Sequence, residues 1–118
     1  VHAYGSMKDW TPYGIAKAGL RRMAKGLAVD LKGTGITVNC IAPGAISNRL
    51  PEDKSDHSFD GPAHPLNLMK HIPSQRGGLP SDIANAALYL SSKLGAYVNG
   101  ETILVDGGMI ASAGPKDS

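Results

Sequence analysis

The sequence has little cysteine, few aromatic residues and no long hydrophobic run. A single cysteine, Cys40, excludes an internal disulfide framework and favours a reducing, cytoplasmic setting. No apolar run approaches the ~18 residues that cross a bilayer. The first four residues, Val1-His2-Ala3-Tyr4, lack the basic region and the apolar core of a signal peptide. We therefore expect no membrane partner.

The chain also carries little excess charge of either sign. The 118 residues carry a formal net charge of +2, and aromatic residues make up 5% of the chain. Nucleic-acid binding usually combines a basic stripe with interleaved aromatic residues. The densest basic group, Arg21, Arg22 and Lys25, is typical of the solvated face of a helix. Because the excess charge is small and aromatic residues are few, we expect no nucleic-acid partner. We expect a globular protein, because 42% of its residues are hydrophobic and 19% are charged.

A long amphipathic helix follows the loop formed by residues 1–11. Thr11 suits the N-cap position and Pro12 the first helical position. The apolar spacing predicts a helix that runs to about Lys32 and ends at Gly33. The apolar stripe of this helix contains Leu20, Ala24, Leu27 and Leu31, with Tyr13 and Lys17 continuing it toward the N-terminus.

Tyr13 and Lys17 are the most chemically suggestive residues. They lie at positions i and i+4, so a helix places them side by side on one face. An ammonium group beside a phenol favours the ionised phenol, which can exchange protons. The structural alternative is that the Lys17 side chain extends along the helix and reaches water.

Two strands and a second helix complete the pattern. Ile36–Ala42 is β-branched and apolar on both faces, which predicts a buried parallel strand that stops at Pro43-Gly44. A helix is predicted from Pro80 to near Ser92, and a second strand at Glu101–Asp106. The order helix, strand, helix, strand predicts an α/β fold with a parallel sheet and a right-handed crossover. Two strands are few for such a sheet, so we expect further strands from elsewhere.

Residues 45–79 form a long irregular segment with one short helix expected at residues 65–71. We interpret residues 45–79 as a substrate loop or lid, with a surface insertion as the alternative. His57, His64 and His71 recur every seven residues, which on a helix would place them on one face and could form a metal site. Intervening glycine and proline residues break that helix, so we expect solvated histidines and no metal.

Four motifs resemble one family. In chain order they are Tyr13-x-x-x-Lys17, Asn39-Cys-Ile-Ala-Pro43-Gly44-Ala-Ile46, Pro80-Ser-Asp-Ile-Ala84 and Asp106-Gly-Gly108. Together they resemble the C-terminal half of the short-chain dehydrogenase/reductase (SDR) superfamily. Within that superfamily the chain resembles bacterial 3-oxoacyl-carrier-protein reductases and glucose 1-dehydrogenases. The resemblance implies half of a Rossmann-type doubly wound parallel sheet, and so a partial domain over residues 1–118.

The resemblance also implies a chemistry. It implies an oxidoreductase that uses NAD or NADP to interconvert a secondary alcohol and a ketone. Tyr13 would be the general acid/base, and Lys17 would favour its ionised form and bind the nicotinamide ribose. Pro43 and Gly44 would shape the backbone beside the nicotinamide, and Ile46 would contact its carboxamide through the main chain. Asn48 stands where many members have a cofactor-contacting threonine.

Other parts of the family pattern are missing from these residues. The glycine-rich turn, the catalytic serine and the active-site asparagine of the family would all precede Val1. We therefore expect a truncated chain that binds dinucleotide weakly. The helix that carries the tyrosine commonly packs on its symmetry mate in this family, which implies a homodimer or a higher homo-oligomer. The alternatives are a remnant fold with hydrolytic or metal-assisted activity, and a non-catalytic self-associating module.

Overall fold

The computed structural model describes residues 1, 3–4, 8–46 and 72–112. Four main elements follow one another along the chain: α1 (Thr11–Asp30), β1 (Cys40–Pro43), α2 (Pro80–Ser91) and β2 (Thr102–Val105). A short 3₁₀ helix, Lys93–Gly95, connects α2 to β2. The predicted order of helix, strand, helix and strand is confirmed.

The two strands pair in parallel. Cys40 lies opposite Thr102 at one end of the pair, and Pro43 lies opposite Val105 at the other. Parallel neighbours cannot be joined by a tight turn, so the chain between them must cross over. The crossover contains α2, as the α/β pattern of the sequence predicts.

Strand β1 begins four residues later than predicted, because side-chain amides replace the strand ladder there. The Asn39 amide donates to the Val98 carbonyl (2.9 Å), and its oxygen accepts the Glu101 N–H (3.1 Å). In the other segment, the side-chain oxygen of Asn99 accepts the Val38 N–H at 2.9 Å, so each segment supplies one asparagine side chain. We call this pair of residues the asparagine clasp. It joins the two segments just before they become strands.

The bounds of α1 differ from the prediction by one or two residues. Thr11 is the first helical residue, and Trp10 occupies the N-cap position without a side-chain cap hydrogen bond. The helix ends at Asp30, and the turn after it reaches Gly33, which has a φ of +81°. Glycine suits that position because other residues rarely adopt a left-handed backbone.

The apolar stripe of α1 is mostly exposed. Ala24 is buried, with 2% of its surface accessible, but Leu20, Met23 and Leu27 are 46%, 53% and 37% exposed. The expectation that Leu20 and Leu27 are buried is therefore not met. Within the described residues, no helix has the length and apolarity needed to cross a membrane.

The predicted loop or lid lies largely outside the described residues. The description of the chain stops after Ile46 and resumes at Ile72. Ile46 forms an isolated parallel bridge with Gly78, so the two ends of this segment meet beside the sheet. The short helix expected at residues 65–71 lies outside the described residues, and the interpretation of the segment as a lid stays a prediction.

The two strands end in close contact. The Gly44 N–H donates to the Val105 carbonyl at 3.0 Å, which extends the parallel ladder one residue beyond β1. A Cβ atom built on Gly44 would lie 2.7 Å from the Asp106 Cα, closer than real Cβ contacts. Only glycine therefore fits at this position without a shift of the backbone.

This contact gives a stability prediction. We expect Gly44→Ala to lower the free energy of unfolding by about 1–3 kcal/mol, because the new methyl group overlaps main-chain atoms. The matched control is Gly19→Ala in α1, where nothing lies within 4 Å of the new Cβ. That change should raise stability by about 0.5–1 kcal/mol. Urea unfolding followed by circular dichroism measures both, and equal effects of the two substitutions would contradict the prediction.

Candidate active site

Helix α1 and strand β1 enclose a cleft of about 510 Å³. Its walls come from the chain start, the first half of α1 and the whole of β1. The lining residues that the sequence predicted as functional are Tyr13, Lys17, Pro43 and Gly44. The fold therefore brings four of the six candidate residues together at one site, beside the carboxyl end of a parallel strand.

The Tyr13 side chain lines this cleft. The side chain is 45% exposed, so a ligand in the cleft can reach it. The ring of Trp10 meets it nearly at right angles, with 5.3 Å between the ring centroids and 83° between the planes. The Lys17 Nζ atom lies 5.1 Å from the centroid of the Tyr13 ring, which is a cation–π distance.

Lys17 keeps its hydrogen-bonding capacity. No described residue accepts a hydrogen bond from its ammonium group. An ammonium carries three donors, so they remain available to the oxygen atoms of a ligand. The sequence predicted that Lys17 and Tyr13 share a helix face, and the structure brings their side chains into contact.

Ile46 lies at a different place from the other candidate residues. It lines a second, smaller cavity of about 170 Å³ beyond the carboxyl ends of both strands. Other residues around this cavity are Ala45, Ile72, Ser74, Arg76, Gly78, Asp82, Asn85, Val105, Asp106 and Gly107. The segment from Pro43 to Ile46 separates the two spaces, so the contact of Ile46 with a nicotinamide stays a prediction.

An ion pair that the sequence analysis missed borders the second cavity. Arg76 donates two hydrogen bonds to the Asp82 carboxylate, at 2.7 and 3.2 Å. The Leu79 N–H also donates to Asp82, at 2.8 Å, which fixes the start of α2. The sequence contained a signal for the hydrogen bond from Leu79, because an aspartate in the first turn of a helix commonly accepts N–H groups from the cap region.

The ion pair changes the titration of both groups. The hydrogen bonds from Arg76 and then from the Leu79 N–H hold the pKa of Asp82 at about 2, below its ordinary 3.8. The paired carboxylate raises the pKa of the Arg76 guanidinium. Both effects arise because the two charged forms stabilise each other.

The Asp106-Gly-Gly108 motif forms a turn against the same cavity. The Asp106 carboxylate accepts the N–H groups of Gly108 and Ile110, both at 2.9 Å. Gly107 and Gly108 have φ values of +62° and +88°, which favour glycine. The Ser74 hydroxyl donates to the Gly107 carbonyl at 3.0 Å and joins the turn to the segment before α2.

Two further expectations fall outside the described part of the chain. Asn48, the candidate cofactor contact, has no described position. The same holds for His57, His64 and His71. Among the described residues no cluster of three or more His, Cys, Asp or Glu side chains could hold a metal ion.

Comparison with known proteins connects this geometry to a family. Residues 1–110 match a family model described as enoyl-(acyl carrier protein) reductase. A curated relative, the 3-oxoacyl-[acyl-carrier-protein] reductase FabG of Rickettsia bellii, is 39% identical over 98 residues. The match covers 83% of this chain but 38% of that relative, so the chain spans less than half of the relative's length.

Solved structures share the fold. An oxidoreductase of the short-chain dehydrogenase/reductase family from Burkholderia thailandensis superposes with a TM-score of 0.71 at 35% identity, over 84% of this chain and 37% of that one. A protein from Agrobacterium tumefaciens whose crystal structure holds bound NADP gives a TM-score of 0.70 at 37% identity, over 84% and 39% of the two chains. The parallel α/β arrangement is thus the Rossmann-type fold of this group.

The Arg76–Asp82 pair predicts an acid-dependent loss of stability. The folded-state pKa of Asp82 is lowered, so its stabilising effect is complete above about pH 4 and disappears as the pH falls through about 2. We expect Asp82→Asn to be less stable than the parent protein at neutral pH and to match it near pH 2. Urea unfolding at a series of pH values measures the difference.

The matched variant is Arg76→Lys, which keeps the positive charge but cannot donate two parallel hydrogen bonds. It should lie between the parent and Asp82→Asn at neutral pH. If the gap between Asp82→Asn and the parent stays constant down to about pH 2, the assigned interaction is wrong.

Proposed function

This chain belongs to the short-chain dehydrogenase/reductase family, and we propose that it contributes to an NAD- or NADP-dependent enzyme that interconverts a secondary alcohol and a ketone. The observation that carries the proposal is the cleft where Tyr13 and Lys17 meet beside Pro43-Gly44. A proton-exchanging group and a cation are thereby placed together where a small molecule can enter.

Tyr13 is the proposed general acid/base. During ketone reduction its hydroxyl donates a proton to the carbonyl oxygen as that oxygen becomes an alcohol. During alcohol oxidation its ionised form accepts the proton back. The Nζ atom of Lys17 lies 5.1 Å from the centroid of the Tyr13 ring, so a cation accompanies the phenol in the cleft. Proton transfer of this kind typically contributes ~10²- to 10⁴-fold to the rate.

The residues of the cleft fit a nicotinamide cofactor. Among the described residues Lys17 has no hydrogen-bond acceptor, so it can donate to ribose hydroxyl groups, and Pro43 and Gly44 line the cleft beside it. A bound nicotinamide would supply or accept the hydride, and Tyr13 would exchange the proton. Ile46 and Asn48 stay candidate contacts on the carboxamide side. We propose NAD or NADP, and weak binding by these residues, because they lack a glycine-rich pyrophosphate turn.

We infer that further groups complete the reaction. This chain covers 38% of its Rickettsia relative. A serine that binds the substrate oxygen, an asparagine and the glycine-rich turn would supplement Tyr13 and Lys17. A small alcohol or ketone is the proposed substrate, and the single cysteine supports a cytoplasmic location.

We further propose that α1 mediates a homodimer or higher homo-oligomer. Three large apolar residues, Leu20, Met23 and Leu27, are exposed on the helix that carries Tyr13. Exposed apolar surface of this kind commonly marks an interaction site. Pairing of two such helices would also hold the Tyr13–Lys17 segment rigid.

Tyr13→Phe tests the proposed chemistry. We expect NAD(P)-dependent turnover, measured on protein that also contains the further groups proposed above, to fall by ~10²-fold or more, because the phenol is the proton donor. The affinity for NADH or NADPH, measured by nucleotide fluorescence, should change little. Tyr89→Phe is the matched control, since Tyr89 lies on α2 and does not line the cleft. Equal activity in Tyr13→Phe and the parent would exclude Tyr13 as the acid/base.

Met23→Glu tests the proposed association. A buried carboxylate at a helix pair is costly, so we expect the dissociation constant of the oligomer to rise by about tenfold or more. Multi-angle light scattering over a concentration series measures this. The control is Leu94→Glu, at a residue 81% exposed on the 3₁₀ helix rather than on α1. A parent protein that stays monomeric at high concentration would contradict the proposal.

A further inference from the structure

Trp10 also lines the cleft, and the proton exchange proposed for Tyr13 and Lys17 gives it no role. It is the sole tryptophan of the chain. Its side chain is 44% exposed, although indole is among the largest apolar groups. A large aromatic side chain at the wall of a cleft supplies contact area for a ligand at small cost in conformational entropy.

A main-chain hydrogen bond and a sharp turn fix the backbone at Trp10. Trp10 is the N-cap residue of α1, and its carbonyl accepts the Gly14 N–H at 2.9 Å, the first hydrogen bond of the helix. The residue before it, Asp9, has a φ of +65°, which turns the chain sharply into the helix. Trp10 therefore occupies a fixed position three residues before Tyr13, one helical turn away.

The two rings form a corner. Their planes meet at 83° with 5.3 Å between centroids, and both rings line the same cleft. A planar ligand group stacked on the indole would thus lie beside the Tyr13 side chain, about as far from it as one packed ring lies from another. The oxygen attached to such a group would lie near the phenol, where proton exchange takes place.

The remaining described walls favour the same kind of ligand. Ile41, Ala42 and Pro43 supply apolar surface, and the described lining contains no carboxylate. The cations Lys17 and Arg21 also line the cleft, and Arg21 lies 4.3 Å from the centroid of the Tyr4 ring. A planar apolar group would find aromatic and aliphatic contacts on these walls, and the two cations could donate hydrogen bonds to its oxygen atom.

We propose that Trp10 determines substrate specificity, by selecting ketones and alcohols whose carbinol carbon carries a planar aryl or conjugated substituent. This inference rests on the proposed oxidoreductase function. The indole binds the planar substituent by stacking, and the adjacent phenol exchanges the proton of the oxygen. Trp10 takes no part in the proton or hydride transfer. Replacing it should therefore lower kcat/KM only for substrates that carry such a planar substituent.

The experiment compares two ketones on three forms of the protein. The ketones are acetophenone, which has a planar ring beside its carbonyl, and butan-2-one, which has none. For Trp10→Ala we expect kcat/KM with acetophenone to fall about three- to tenfold, mainly through KM, because ring contacts have that magnitude. The value with butan-2-one should change less than about twofold. Trp10→Phe should recover part of the lost activity toward acetophenone.

Two controls distinguish a wrong role for Trp10 from a wrong oxidoreductase function. Tyr97→Ala removes a fully exposed aromatic ring that does not line the cleft, and should leave both ketones unaffected. Binding of 1-phenylethanol is measured independently of turnover, as a saturable change in the fluorescence of Trp10. An equal loss with both ketones in Trp10→Ala, or a fluorescence change that does not saturate, would overturn the role of Trp10. Absence of turnover with a saturable change, in protein that also contains the further groups proposed above, would instead overturn the proposed oxidoreductase function.

Discussion

The structure depends on the close contact between the ends of two parallel strands. Gly44 follows β1 and lies against the backbone of Asp106, which follows β2. This contact fixes where each strand stops, and both cavities open around that point. The cleft with Tyr13 lies on the side of α1, and the cavity with the Arg76–Asp82 pair lies beyond the strand ends. Gly44 lines the first of these spaces, and Asp106, which it contacts, lines the second.

The sequence predicted the helices well, because their signals are local. Apolar spacing and the prolines Pro12 and Pro80 located both helices to within two residues at each end. The strands were harder, because a strand exists only where a partner accepts its hydrogen bonds. Val38 and Asn39 have strand-like neighbours, but the amides of the asparagine clasp take their place in the ladder. Such exchanges between distant segments leave no local pattern.

The candidate site was predicted in part, for a related reason. Tyr13 and Lys17 lie four residues apart on one helix, so spacing alone places them together. Their meeting with Pro43 depends on how α1 packs on β1, and all three residues line one cleft in the structure. The contact of Trp10 with Tyr13 was missed, because the sequence analysis treated the residues before Thr11 as an unpatterned loop. The position of a loop side chain depends on the element that follows it.

The asparagine clasp affects how readily Asn99 can deamidate. Asn99-Gly100 is a sequence in which the glycine nitrogen can attack the asparagine side chain, releasing ammonia through a cyclic imide. Here the Gly100 N–H donates to the Val38 carbonyl at 2.8 Å, and the Asn99 side-chain oxygen is held by the Val38 N–H. Both reacting groups are engaged with the same residue, so the folded chain slows its own chemical damage. Hydrogen bonds that align two strands thus also preserve the covalent structure over time.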